Sequence, residues 1–212
     1  NRRIEVIPNG IDTGVYRPID KQVARQTLRL PVDKRLILFG AMHGTADPNK
    51  GADLLFPALR ELGRDGWGSK AELVALGASP GNLPSDLGIP VTCLDFLKDD
   101  VSMVLAYSAA DVTVLPSRQE NLPNMVMESM ACGTPAVGFR IGGVPELIAH
   151  TTDGYAAEPF SAKDLANGIS FVMEDDARHS AMAAAARRKV ELEFDVAAAA
   201  SRYVALYESI LI

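Results

Sequence analysis

Short apolar runs alternate along this chain with longer segments of helical period, and that alternation restricts the fold more than any other feature. RLILFG and DVTVLP are apolar nearly throughout, as strands buried on both faces must be, and AELVALG, IPVTCLDF and TPAVGF are further strand candidates. GADLLFPALREL sets Leu54, Leu55, Ala58, Leu59 and Leu62 on one helical face, with Pro57 expected near its first turn. KQVARQTLRL is a helix closed by Pro31, DDVSMVLAYSAA a helix with an acidic start, and NMVMESMACG a helix ended by Gly133. IEVI reads as a brief strand before the turn PNGIDTGVYRP, and DGYAAEP as a weak strand or hairpin. SAKDLANGISFVMED is a helix opened by a Ser/Asp capping box. From Ala177 onward the tail reads as two Ala-rich amphipathic helices broken near Phe194–Asp195. About six strands with helices between them predict an α/β, Rossmann-like doubly wound parallel sheet followed by C-terminal helices.

Composition removes several functions. With 48% hydrophobic and 23% charged residues among 212, the chain is neither disordered nor membrane-spanning, and a net charge of −6 argues against a broad grip on nucleic acid. A small anionic ligand remains compatible with that charge, because a few local donors can hold one. Cys93 and Cys132 follow no CxxC or Cys/His spacing. They read as buried apolar thiols in a reducing, cytoplasmic setting rather than as a disulfide or a metal site. The opening RRIEVIPNGID reads like sequence from the middle of a protein, so the expectation is a fragment.

The chemistry concentrates after DVTVLP. The carboxyl end of a buried strand in an open α/β sheet faces the mouth where ligands bind, and Ser117, Arg118, Gln119 and Glu120 form the loop leaving it. Pro123 suits the first helical position, so the helix is expected to start close to Leu122 with its free amides and positive dipole end toward that mouth, a phosphate-binding arrangement. Glu120 precedes the helix and Glu128 lies between one and two turns inside it. The two carboxylates can therefore accept hydrogen bonds from hydroxyls on either side of a phosphate held by backbone. A diphosphate with a sugar at each end, a nucleotide-sugar, matches that layout. Gly142 and Gly143 form a turn at the end of the next strand, either as a turn alone or as a wall of the site, with Glu146 positioning it. No strand is followed by GxGxxG, which argues against a dinucleotide oxidoreductase.

SRQENLPNMVMESMACGTPAV followed by GGVPELI resembles the E-x7-E signature of retaining GT-B glycosyltransferases of the large family 4. VIPNGIDTGVYRP, NKGADLL, YSAADVTVLPS and EFDVAAAASRYVALYESIL resemble it too, in the same order along nearly the whole chain. The resemblance implies that residues 1–212 are the donor-binding, C-terminal half of a GT-B fold. Residues 1–17 would be the interdomain linker or first strand, and 195–212 a helix returning to a missing N-terminal acceptor domain. It implies a UDP-, GDP- or ADP-sugar as donor, no cofactor, no metal, and transfer with retention to a glycan or lipid-linked acceptor, as in polysaccharide assembly. Any peripheral membrane association would belong to the missing half, and the isolated domain would be inactive.

By position, Glu120 would hold hydroxyls of the transferred sugar and Glu128 the nucleotide ribose. Asn121, Leu122, Pro123 and Asn124 would form the phosphate loop, although Pro123 has no amide hydrogen to give. Lys50 would neutralise the diphosphate, and the base would rest near the backbone of Cys93 and Leu94. The family's arginine after the glycine matching Gly40 is absent, Ala41 standing there, which leaves His43 or Arg118 as substitute charges. Met125, Met127, Met130 and Cys132 are expected in the core or behind the site. The spacing of Glu120 and Glu128 does not suggest the acid/nucleophile pair of a hydrolase. Two other readings are a nucleotide-sugar 2-epimerase half-domain, for which further acid/base residues are not found, and a non-catalytic nucleotide-binding module.

Overall fold

The computed structural model describes residues 4–40, 47–79, 81 and 83–211. Six strands form one sheet: β1 (Arg35–Gly40), β2 (Ala71–Leu76), β3 (Val91–Leu94), β4 (Val112–Leu115), β5 (Ala136–Phe139) and β6 (Gly154–Ala157). All neighbouring pairs are parallel, in the order β3-β2-β1-β4-β5-β6. This is the doubly wound Rossmann-like arrangement the alternation predicts, and the strand order reverses between β1 and β4. The helices are α1 (Lys21–Thr27), α2 (Ala52–Leu62), α3 (Asp100–Ala109), α4 (Asn124–Ala131), α5 (Val144–Leu147), α6 (Ala162–Met173), α7 (Asp176–Glu193) and α8 (Val196–Leu211).

Alternate side chains of each strand feed the two faces. Ile37, Phe39, Leu73, Ala75, Val137 and Phe139 pack under α2 and α6, while Leu36, Leu38, Val74 and Leu76 face α1 and α3. Both faces are thus covered, which is why the strands are apolar runs rather than alternating ones. At the head of β4 a buried carboxylate ties the second face together. Asp111 accepts from Lys21 Nζ at 2.8 Å, Arg25 Nη2 at 2.7 Å and the Leu36 amide at 2.7 Å. Burial works to raise the Asp111 pKa, but the charges of Lys21 and Arg25 and the hydrogen bonds outweigh it and hold it below the usual carboxylate value.

Several local expectations change. IEVI is not a strand; the first pairing is an isolated bridge between Ile11 and Asp195, where the Ile11 amide donates to Phe194 O and the Val196 amide to Ile11 O, both at 2.9 Å. Arg187 donates to the carbonyls of Thr13 and Tyr16, so the entry turn is docked on α7. Pro57 lies in the second turn of α2, not near its first. DGYAAEP supplies the parallel edge strand β6 rather than a hairpin. Ser161 caps α6 by accepting from the Asp164 amide, but Asp164 turns its carboxylate to the Glu158 amide and Tyr155, so only half of the capping box forms. The tail divides where expected, α7 burying His179, Met182, Ala186 and Val190. The α8 helix leaves Val204, Tyr207 and Ile210 largely exposed, as the entry segment leaves Ile4 and Val6. Among the described residues no helix is long and apolar enough to cross a membrane.

Candidate functional site

A cavity of about 400 Å³ opens at the carboxyl ends of β1 and β4, where the strand order reverses. Gly40 ends β1 at its wall, and Pro116, Ser117 and Glu120 follow β4 along another. Pro123, Asn124 and Met125 bring in the amino end of α4, with Glu128 one turn further. Glu120 and Glu128 therefore line one cavity from either side of the helix start, with the Glu120 side chain only 15% exposed.

The helix begins one residue later than the sequence suggests. Pro123 is the N-cap, in extended conformation at φ −72° and ψ 113°, not the first helical residue. Its carbonyl accepts from the Val126 and Met127 amides at 3.1 and 3.3 Å. The front donors not committed to that carbonyl are the amides of Asn124 and Met125, two residues that line the cavity. An eight-residue helix with this end open to a cavity has the polarity that favours an anion. The phosphate loop expected over 121–124 is accordingly split. Leu122 is half-buried against the apolar cluster around Val126 and Val144, and Asn121 lines a neighbouring shallow cleft with Arg118, Gln119, Glu120, Ile141 and Gly142. Glu120 borders both hollows.

Lys50 closes a 3-10 turn (Pro48–Lys50) ahead of α2 and lies with its Nζ 3.6 Å from Glu120 Oε1. What sets that approach is Arg118. Its guanidinium makes two 2.7 Å bonds to the Asp53 carboxylate and a third to Pro48 O, and its amide donates to Asn49 O at 2.8 Å. The hydrogen bond from Arg118 holds the Asp53 carboxyl below its usual range. Arg118, which the sequence allowed as a substitute phosphate charge, gives its guanidinium to Asp53 and Pro48 and lines the neighbouring cleft rather than the main cavity; it staples the Lys50 turn to the loop after β4. His43 and Ala41 lie outside the described residues.

Glycines let the backbone close around this loop. At Gly142, φ is +48° and a Cβ would lie 1.8 Å from Glu120 O; one at its neighbour Gly143 would lie 1.8 Å from Asn121 O. The turn after β5 is thus pressed onto the Glu120 loop rather than onto the main cavity. Across the loop, Gly51 at φ +66° sits against Pro116 O in the same way. Any side chain at these positions would push the loop away.

At the other end of the cavity Glu128 Oε2 accepts from Tyr107 Oη at 2.7 Å. Burial raises the Glu128 pKa, the Tyr107 bond opposes the rise, and the charge of Asp100 adds to it. Burial, together with the charge of Glu128, pushes the fully buried Tyr107 phenol far above its usual value. Tyr16 also lines the cavity and donates to Asp100 Oδ1 at 2.8 Å. Phe96 and Leu97, in the loop after β3, and Met103 supply an apolar wall. Cys93 and Leu94, where the base was expected, do not reach this wall: Cys93 is half-buried beside a separate surface hollow, and Leu94 O accepts from the Gly77 amide at 2.8 Å. The cause is length, since β3 stops at Leu94 and the chain reaches the cavity two residues later.

Sequence reasoning did not single out Tyr16, Phe96, Met103 or Tyr107. Tyr107 and Ser117 sit in YSAADVTVLPS, but as members of a pattern and without a role; a tyrosine closing a helix just before a buried strand was the available signal. Among the described residues no three His, Cys, Asp or Glu side chains converge as metal ligands.

Residues 20–189 match the family model for glycosyl transferases group 1. Curated relatives named D-inositol 3-phosphate glycosyltransferase include one from Segniliparus rotundus, 32% identical over 76% of this chain and 37% of its own length. Another, from Thermobispora bispora, is 29% identical over 99% of this chain and 51% of its own length. The chain thus spans about half, or less, of the curated relatives it matches. Sucrose-phosphate synthase from Thermosynechococcus elongatus superposes with a TM-score of 0.81 at 27% identity, covering 98% of this chain and 52% of that one. Anabaena HepE in complex with UDP gives 0.80 at 25%, covering 97% and 57%. A crystallised C-terminal domain of a group 1 glycosyl transferase (LpcC) from Francisella tularensis shares the fold, with a TM-score of 0.74 at 22% identity over 88% of this chain and all of that one.

Proposed function

The chain belongs to the glycosyl transferases group 1 family, and from that premise we propose that it is the nucleotide-sugar donor-binding half of a retaining, metal-independent GT-B glycosyltransferase of the E-x7-E type. The observation that carries the reading is the flanking of one helix amino end by two carboxylates in one cavity, with a lysine beside the first. In this reading Glu120 accepts from hydroxyls of the transferred sugar and Glu128 from the ribose. The diphosphate lies between them on the amides of Asn124 and Met125. Phe96, Leu97 and Met103 face the base, and Tyr107 keeps the Glu128 carboxylate oriented.

The chemistry is electrostatic. As the bond from the anomeric carbon to the diphosphate breaks, negative charge gathers on the leaving phosphate. In this reading Lys50 and the α4 amides stand at the cavity before the donor binds, so little reorganisation accompanies the step. The Lys50–Glu120 contact couples the charge on the leaving group to the position of the sugar. The acceptor, a glycan or lipid-linked sugar, would bind on a preceding domain. A chain spanning about half its relatives and an exposed apolar face on α8 and the entry segment both support that arrangement. The isolated chain would then bind donor without transferring it, in a cytoplasmic setting, with any membrane association left to the other half.

Calorimetric titration with UDP, GDP and ADP tests the reading, UDP first because a relative of 25% identity is described as its complex. One nucleotide should bind at millimolar concentration or tighter, and Glu128→Ala should abolish that binding with the circular dichroism spectrum unchanged. Binding of none of the three would overturn it. Transfer and epimerisation are separated by product analysis with the acceptor half present.

A further inference from the structure

We propose that Ser117 is a ligand-contacting residue of this cavity, whose hydroxyl donates to an oxygen of the phosphate that Lys50 neutralises; the inference rests on the donor-site reading above. Ser117 is 2% exposed, lines the cavity, and carries the single buried side-chain nitrogen or oxygen among the described residues with no hydrogen-bond partner. The surrounding fold does not leave hydroxyls in that state. On β4, on α4 and in the turn after α4, Ser129 Oγ donates to Thr113 Oγ1 at 2.7 Å, and Thr134 Oγ1 donates to Tyr107 O at 2.7 Å. Ser108 Oγ accepts from the Ile19 amide at 3.1 Å. An orphaned buried hydroxyl costs stability, and alanine would remove the cost without loss of packing, so its presence at a cavity wall points to a partner that arrives with the ligand.

Its neighbours identify the partner. Pro116 O abuts Gly51 and the Arg118 amide bonds Asn49 O at 2.8 Å, so the residues on both sides of Ser117 are pinned to the turn that carries Lys50. Ser117 and Lys50 therefore address the same part of a bound molecule, and a hydroxyl beside a lysine is suited to donate to an anionic oxygen. The ribose end, at Glu128 and Tyr107, belongs to α4 and α3 instead.

The test is Ser117→Ala, with UDP as the probe. Loss of one hydrogen bond to a charged acceptor should weaken UDP binding roughly tenfold and leave uridine binding unchanged. Without ligand, the variant should melt at the same or a higher temperature than the parent, the opposite of what removing a structural hydroxyl would do. Unchanged UDP affinity, or a lower melting temperature without ligand, would overturn the proposal. A loss confined to UDP-glucose, with UDP unaffected, would move the contact to the sugar and overturn the phosphate assignment. If Glu128→Ala loses UDP while Ser117→Ala keeps it, this inference alone falls; if the parent chain binds no nucleotide, the donor-site reading falls with it.

Discussion

Replacing Tyr107 with phenylalanine removes one oxygen from a fully buried ring and leaves its packing in place, so it isolates the bond to Glu128. That bond is 2.7 Å long and its acceptor is a carboxylate. Because Glu128 is half-buried and water reaches part of it, the loss should be about 1–2 kcal/mol at neutral pH, below the upper range for charged acceptors. For a chain of this size that is a fall of about 2–8 °C in melting temperature. The sign with pH follows from Glu128. Its pKa is raised in the fold, so the folded state holds the proton more tightly than the unfolded chain, and this group's contribution to stability declines as pH rises through its raised pKa. The Tyr107 bond opposes that decline by favouring the ionised form. Tyr107→Phe should therefore cost little near about pH 4 and its full amount at about pH 8. Paired thermal melts of parent and variant across that range measure the difference directly. A difference that is absent, or constant with pH, would refute the claim that this phenol sustains the Glu128 carboxylate.

Asp111→Asn should cost about 3–5 kcal/mol in urea unfolding, because it leaves the Arg25 guanidinium buried without a counter-charge; a cost under about 1 kcal/mol would contradict that role. Gly142→Ala should abolish nucleotide binding in calorimetry while far-ultraviolet circular dichroism stays native, since its Cβ would meet Glu120 O at 1.8 Å and displace the loop; unchanged affinity would show that the loop position is unimportant. Burial raises both thiols, that of Cys132 up to about 12, and only Cys93 keeps partial access to solvent, so iodoacetamide at about pH 8 should alkylate Cys93 slowly and spare Cys132 in the folded chain, and equal labelling by mass spectrometry would contradict the burial.

The parallel sheet was legible because β1 and β4 are apolar on both faces, and only a two-layer cover of helices permits that. The carboxylate pair was legible because Glu120 and Glu128 sit close in sequence around a strand–loop–helix unit whose geometry is local. What the sequence concealed depends on pieces far apart in the chain. Arg118 looked like a free cation next to the site, but its partners Asp53 and Pro48 arrive from the opposite side of the switch point. Tyr107 and Tyr16 gain meaning only when α3 and the entry turn converge on Glu128 and Asp100. Pro123 fits either the N-cap or the first helical position by φ alone, and ψ decided it. The apolar wall of the cavity falls at Phe96 and Leu97 rather than at Cys93 and Leu94, because β3 ends at Leu94, in register with the last residue of β2.

The most direct test of the central claim is a crystal structure of this chain with UDP-glucose bound. The account predicts diphosphate oxygens on the Asn124 and Met125 amides beside Lys50, the ribose on Glu128 and the glucose on Glu120. A nucleotide seated elsewhere, or in the same cavity with its ribose turned away from Glu128, would contradict it.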